Sequence, residues 1–140
     1  CQSGRWKKQA EIPEWHYVEP TIIYSEAMNK PARELTTKIQ LYGYVPLGAK
    51  FVSITTVIAN GQNFCDGLFM ANVRGKTSTG EWTVKNIPIK TYNQSAWYAD
   101  AVIMELPIYD GNIYFHHPYI CGDTYGTGGA NVDIYLNGFL

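Results

Sequence analysis

The sequence predicts an all-β domain, an antiparallel β-sandwich or jelly roll, preceded by an extended N-terminal arm. Three observations predict it. From Leu35 onward, apolar residues recur at every second position, the period of a half-buried strand. Turn pairs such as Asn60-Gly61 and Asp110-Gly111 punctuate the chain and favour hairpin connections. Seven or eight strand-like segments follow one another with turn signals every ~8–12 residues, the spacing of sandwiches and jelly rolls.

Each element has its own justification. Residues 1–33 read as irregular, because Pro13, Pro20 and Pro31 each remove a backbone donor and restrict the residue before them. Trp6, Trp15, Tyr17 and Tyr24 make this stretch an arm packed along a surface. Leu35, Thr37, Ile39 and Leu41 then share one face of a strand that ends at Pro46-Leu47-Gly48. Phe51 to Ile58 is a β-branched run, and Leu68 to Val73 is a short strand before a polar loop, Arg74 to Gly80. Trp82 to Ile89 is a strand whose Pro88 places it at a sheet edge or end. Trp97 to Leu106 is long and apolar and reads as buried; Asn112 to Phe115 and Val132 to Phe139 complete the set.

Composition narrows the function. The chain has 140 residues, which suits one domain with a sizeable core. Net charge is -1, and beyond Lys7-Lys8 no basic run occurs, so a nucleic-acid partner is not expected. No apolar run approaches the ~20 residues of a membrane-spanning helix. The chain begins at Cys1 without an initiator Met and reads as a processed product or a fragment. Aromatic residues make up 14%, with 11 Tyr and 4 Trp, against 16% charged. The surface is therefore built largely from Thr, Asn, Gly, Ser and Tyr, a composition suited to uncharged polar ligands.

The three cysteines, Cys1, Cys65 and Cys121, form no C-x-x-C pair. Cys65 and Cys121 each stand beside Gly and Asp, in loop-like surroundings that suit a disulfide between two connections. Such a bridge implies an oxidising compartment or the cell exterior, and Cys1 is left over.

No hydrolase elbow, zincin motif or P-loop is present, so binding rather than catalysis is expected, with no cofactor. Adjacent His116 and His117 point to opposite faces if they lie on a strand, which disfavours a shared metal; at least one is expected in a solvent-facing loop. Asn93-Gln94-Ser95 matches the glycosylation sequon and nothing more. Three segments combine flat aromatic faces with hydroxyl-binding groups: Trp97, Tyr98 and Asp100; Asp110 and Asn112; and His116, Tyr119, Asp123 and Tyr125. Taken singly, each fits turn chemistry or core packing. Their concentration in the C-terminal third points to a glycan-binding surface, with Trp15, His16 and Tyr17 as the alternative location.

The opening Cys1-Gln2-Ser3-Gly4-Arg5-Trp6-Lys7 resembles the C-Q-S-G-x-W segment of type IV minor pilins of the PilV type. In that family the segment closes the pilin-like constant region and precedes a C-terminal adhesin. The resemblance covers about seven residues. It implies that Cys1 pairs with an upstream cysteine and that residues 1–33 are an arm following the constant region. Residues 34–140 would then be a receptor-binding β domain, similar in style to H-type-lectin-like or phage-fibre tip domains. It further implies an extracellular pilus tip, exchange of the segment by a DNA shufflon, and recognition of recipient-cell lipopolysaccharide during conjugation. The expected partners are that glycan, pilin subunits joined through the upstream region, and two further copies in a homotrimer. Because these segments vary, the resemblance assigns no binding residue. Two rivals share the composition: a phage or tailocin fibre tip, and a secreted glycan-acting enzyme, which needs a carboxylate pair in one cleft.

Overall fold

In the computed structural model eight strands follow in chain order: β1 (His16–Ala27), β2 (Leu35–Gln40), β3 (Phe51–Asn60), β4 (Gly67–Lys76), β5 (Trp82–Thr91), β6 (Tyr98–Pro107), β7 (Asn112–His117) and β8 (Asn131–Phe139). It describes residues 14–27, 35–60, 67–91, 98–118 and 131–140. The strands form two four-stranded sheets, ordered β1-β8-β3-β6 and β2-β7-β4-β5, with every ladder antiparallel. The two interlocked orders are those of an eight-strand jelly roll. Among the described residues only β4 and β5 are both consecutive and paired; every other ladder joins distant segments.

The period-two pattern decides which face meets the core. Val52, Ile54 and Ile58 of β3, Val132, Ile134 and Leu136 of β8, and Met104 and Leu106 of β6 point inward from one sheet. Ile39, Ala71, Val73, Ile87, Ile89, Ile113 and Phe115 meet them from the other. Apolar burial of this kind contributes roughly 25 cal/mol per Å² and supplies most of the driving force. Thr56 is the one buried polar residue among those described, and its hydroxyl has no hydrogen-bond partner.

Four readings from the sequence change. Residues 16–27, read as irregular, form an edge strand, because β8 supplies ladder partners on both sides of Pro20; the register shifts between Tyr17 and Thr21 and again between Ile22 and Tyr24. His16 also stacks on Phe139 with ring centroids 5.3 Å apart. The segment Arg74 to Lys76, read as loop, continues β4. Gly75 marks a close approach there: a Cβ built on it would lie 2.0 Å from the Pro107 carbonyl oxygen. β6, read as buried, is an edge strand with Ile103 73% exposed. Its apolar run fills one face only. Finally, both His116 and His117 lie on β7, held by ladders to β2 and β4, so neither sits in a loop. The proline rule does hold, since Pro88 lies on β5, an edge strand.

Candidate functional site

The strand ends sort the sequence-derived candidates between the two ends of the sandwich. Ala27, Leu35, Asn60, Gly67, Thr91, Tyr98, His117 and Asn131 terminate strands at one end, as the pairings Ala27 with Asn131, Asn60 with Tyr98, Gly67 with Thr91 and Leu35 with His117 require. Tyr98 opens β6 here, and Asp100 lies two residues on, exposed, opposite Ile58. At the opposite end Asp110 lies in the β6–β7 turn and Asn112 opens β7. At about 3.4 Å per residue, the β6 segment from Asp100 to Pro107 alone spans about 24 Å. The structure thus places Asn112 and His116 on β7, with Asp110 in the turn before it, and separates them from Asp100. Trp97, Tyr119, Asp123 and Tyr125 lie outside the described residues, as do Cys65 and Cys121.

Asp110 shows how the turn is made. The Gly111 amide donates to the Ile108 carbonyl at 2.8 Å, and Gly111 adopts φ +79°, the left-handed region that favours glycine. One Asp110 carboxylate oxygen accepts from the Asn112 amide at 3.1 Å and the other from the Tyr114 hydroxyl at 2.8 Å. The Asn112 side-chain amide in turn donates to the Asp110 carbonyl at 3.0 Å. Asp110 is therefore committed to the turn and to Tyr114. Burial, then the hydrogen bond to Asp110 and its negative charge, raise the Tyr114 pKa above the ordinary phenol value, so the hydroxyl stays a donor.

Tyr114 is the centre of a polar and aromatic face on the outside of the β2-β7-β4-β5 sheet. Alternation sends Thr36, Lys38 and Gln40 outward from β2, and Asn112, Tyr114 and His116 outward from β7. β4 contributes Asn72, Arg74 and Lys76, and β5 contributes Trp82, Val84 and Asn86. Ladder register arranges them in rows: Thr36, His116, Asn72 and Asn86; then Lys38, Tyr114, Arg74 and Val84; then Lys76 beside Trp82. The Trp82 indole reaches across β4 and meets the Tyr114 ring edge-on, centroids 4.8 Å apart at 89°. Arg74 Cζ lies 5.4 Å from the indole centroid and Lys76 Nζ 4.9 Å, within cation–π range. Trp82 remains 44% exposed.

Several groups on this face have unused hydrogen-bonding capacity. Arg74 Nε and Asn72 Oδ1 are buried without a partner. Thr36 Oγ1 lies 3.0 Å from His116 Nδ1, which leaves the other ring nitrogen of His116 without a partner among the described residues. His117, on the inner side, also has a buried Nδ1 with no hydrogen bond. Among the described residues no group of three or more His, Cys, Asp or Glu side chains is placed to hold a metal. A cleft of about 470 Å³ opens between the edges of β5 and β6, lined by Val84, Ile103 and Glu105 among others. It has no aromatic side chain.

Sequence reasoning found Asn112 and His116 but missed Trp82, Tyr114, Arg74, Lys76 and Lys38. The available signal was the alternation itself: positions 72, 74 and 76, and 82, 84 and 86, share one outward parity. Reading 74–80 as a loop broke that parity where the two cations lie.

No family model and no curated protein matches the chain. Among solved structures it is similar to a cycloisomaltooligosaccharide glucanotransferase of Paenibacillus sp. complexed with cycloisomaltoheptaose. The match has 16% identity and a TM-score of 0.39, covering 90% of this chain and 18% of that one. It is also similar to a structure of infectious bursal disease virus, Gx strain, at 8% identity and a TM-score of 0.37, covering 86% of this chain and 33% of that one. The chain thus spans about a fifth and a third of those proteins.

Proposed function

We propose that this chain is the receptor-binding domain of an extracellular adhesin that recognises surface glycan, namely lipopolysaccharide of recipient bacteria, from the tip of a type IV pilus. The observation that carries the glycan reading is the outer face of the β2-β7-β4-β5 sheet. It presents an exposed indole beside a phenol, and the sugar's apolar face stacks on such rings. Around them stand amides, an imidazole and hydroxyls, which donate to and accept from ring hydroxyls. The face is carried by four paired strands, with β7 and β4 in the centre.

The pilus setting rests on the resemblance of Cys1 to Lys7 to the PilV-type segment. A homotrimer fits it, since several weak sites on one tip gain avidity without tighter single contacts.

The test measures binding of the purified chain to immobilised lipopolysaccharides, for wild type and for Trp82→Ala. Loss of one stacked aromatic costs about 1–3 kcal/mol, by analogy with base stacking, and so lowers affinity by roughly fivefold to a hundredfold. Thermal melting serves as the fold control. Equal binding by Trp82→Ala removes this face from the site. Sedimentation at high concentration tests the trimer, which a monomer would refute for this fragment.

A further inference from the structure

The outer sheet face carries three cations, Lys38, Arg74 and Lys76, although the whole chain has a net charge of -1. Lys38 and Arg74 flank Tyr114 from opposite sides in register, about 9–10 Å apart at the usual strand spacing. Lys76 follows Arg74 on the same face of β4. Among the described residues no carboxylate pairs with any of the three. Asp110, in the turn before β7, already accepts from the Tyr114 hydroxyl and the Asn112 amide.

Arg74 is the telling residue. Its guanidinium packs by the Trp82 indole, and its Nε is buried with no acceptor. A buried donor without a partner costs roughly 1–3 kcal/mol, and a charged one more. A planar, five-donor cation held in place by an aromatic ring is preorganised for a planar or tetrahedral anion. Nε itself is closed to solvent, so the donors open to a ligand are the terminal guanidinium nitrogens and the ammonium groups of Lys38 and Lys76.

We propose, resting on the glycan reading above, that this face selects acidic sugars. In this reading Trp82 and Tyr114 carry the sugar ring, while Arg74, with Lys76 and Lys38, takes a phosphate or carboxylate substituent. Hydrogen bonds from ionised donors to such groups are about twice as strong as neutral ones. A neutral glycan gains none of these charge-assisted bonds and binds less tightly.

The experiment compares three probes against the 140-residue chain: native lipopolysaccharide, the same material with its phosphates removed by hydrofluoric acid, and the same material with its carboxyl groups reduced. Wild type is expected to bind native material at least tenfold more tightly than one of the two treated forms, and which form loses names the anion. Arg74→Gln should lower binding to native material to that treated level, with no further loss on the treated form. Lys50→Gln, a cation packed on Tyr109 elsewhere on the molecule, should bind like wild type and so excludes an effect of net charge. Equal binding of all three probes by wild type overturns the acidic-sugar inference and leaves the glycan reading standing. Binding to none of them overturns both.

Discussion

Replacing Gly75 with alanine tests a close backbone approach between β4 and the end of β6. Gly75 is buried on β4, and an added Cβ would lie 2.0 Å from the Pro107 carbonyl oxygen and 3.2 Å from its carbon. Ordinary carbon–oxygen contacts between strands lie near 3.3 Å, so β4 and the end of β6 must separate by about 1.3 Å. Both are main chain, so no side chain can rotate away. The separation also strains the Ile108 turn, where the Tyr109 amide donates to the Lys76 carbonyl at 3.1 Å. Overpacking of a well-filled interior costs typically 1–3 kcal/mol, and a backbone collision belongs at the upper end, about 3 kcal/mol. Unfolding entropy near 2.1 cal/mol/K per residue gives about 0.3 kcal/mol/K for a chain of this size. The melting temperature should therefore fall by about 10 °C, measured by calorimetry on matched samples. Gly80→Ala is the comparison, since its Cβ meets nothing within 4 Å but its φ is +84°. A left-handed alanine costs about 1 kcal/mol, equivalent to about 3 °C. If Gly75→Ala melts within a degree or two of wild type, the close packing of β4 on Pro107 is wrong.

Two further outcomes are expected. Thr56→Val removes a buried hydroxyl that has no partner while keeping the β-branched shape. Chemical denaturation should show it more stable by about 1–2 kcal/mol, and a loss of that size would mean the hydroxyl is satisfied. Tyr114, whose pKa is raised chiefly by burial and then by Asp110, favours the neutral phenol in the folded state. Its contribution to stability is complete below the ordinary phenol value near 10 and disappears as pH rises through the higher folded value. A near-ultraviolet titration of wild type against Tyr114→Phe should show one phenol ionising above pH 10. A difference midpoint at or below 10 contradicts the geometry.

Much of the fold was legible because burial follows parity. In β3 and β8 nearly every second residue is apolar and inward, and both strands stand where sequence placed them. What parity does not carry is the identity of the neighbour. The edge position of β1 depends on β8, more than a hundred residues later, and nothing local in a proline-bearing segment announces that partner. Gly75 misled for a related reason: between Arg74 and Lys76 a glycine reads as a turn, when its purpose is to admit the Pro107 carbonyl. The candidate site suffered most. Asp110 and Asn112 are rich in turn chemistry, and the structure spends Asp110 on the turn. The Trp82 face is assembled from four strands, each contributing three outward residues that look like ordinary solvent-facing positions on their own.

The interleaved strand order also governs how the chain reaches its folded state. β3 lies between β8 and β6, both synthesised after it, and β1 has β8 as its sole neighbour. Among the described strands the β4–β5 hairpin is the one ladder between consecutive elements, with a turn closed by Thr77 and Gly80. Every other ladder waits on long loop closure, whose entropy is lost before its contacts form. Such topologies fold in milliseconds to seconds rather than microseconds. Until β8 docks, β1 and β3 expose their unpaired amides and carbonyls to any passing strand.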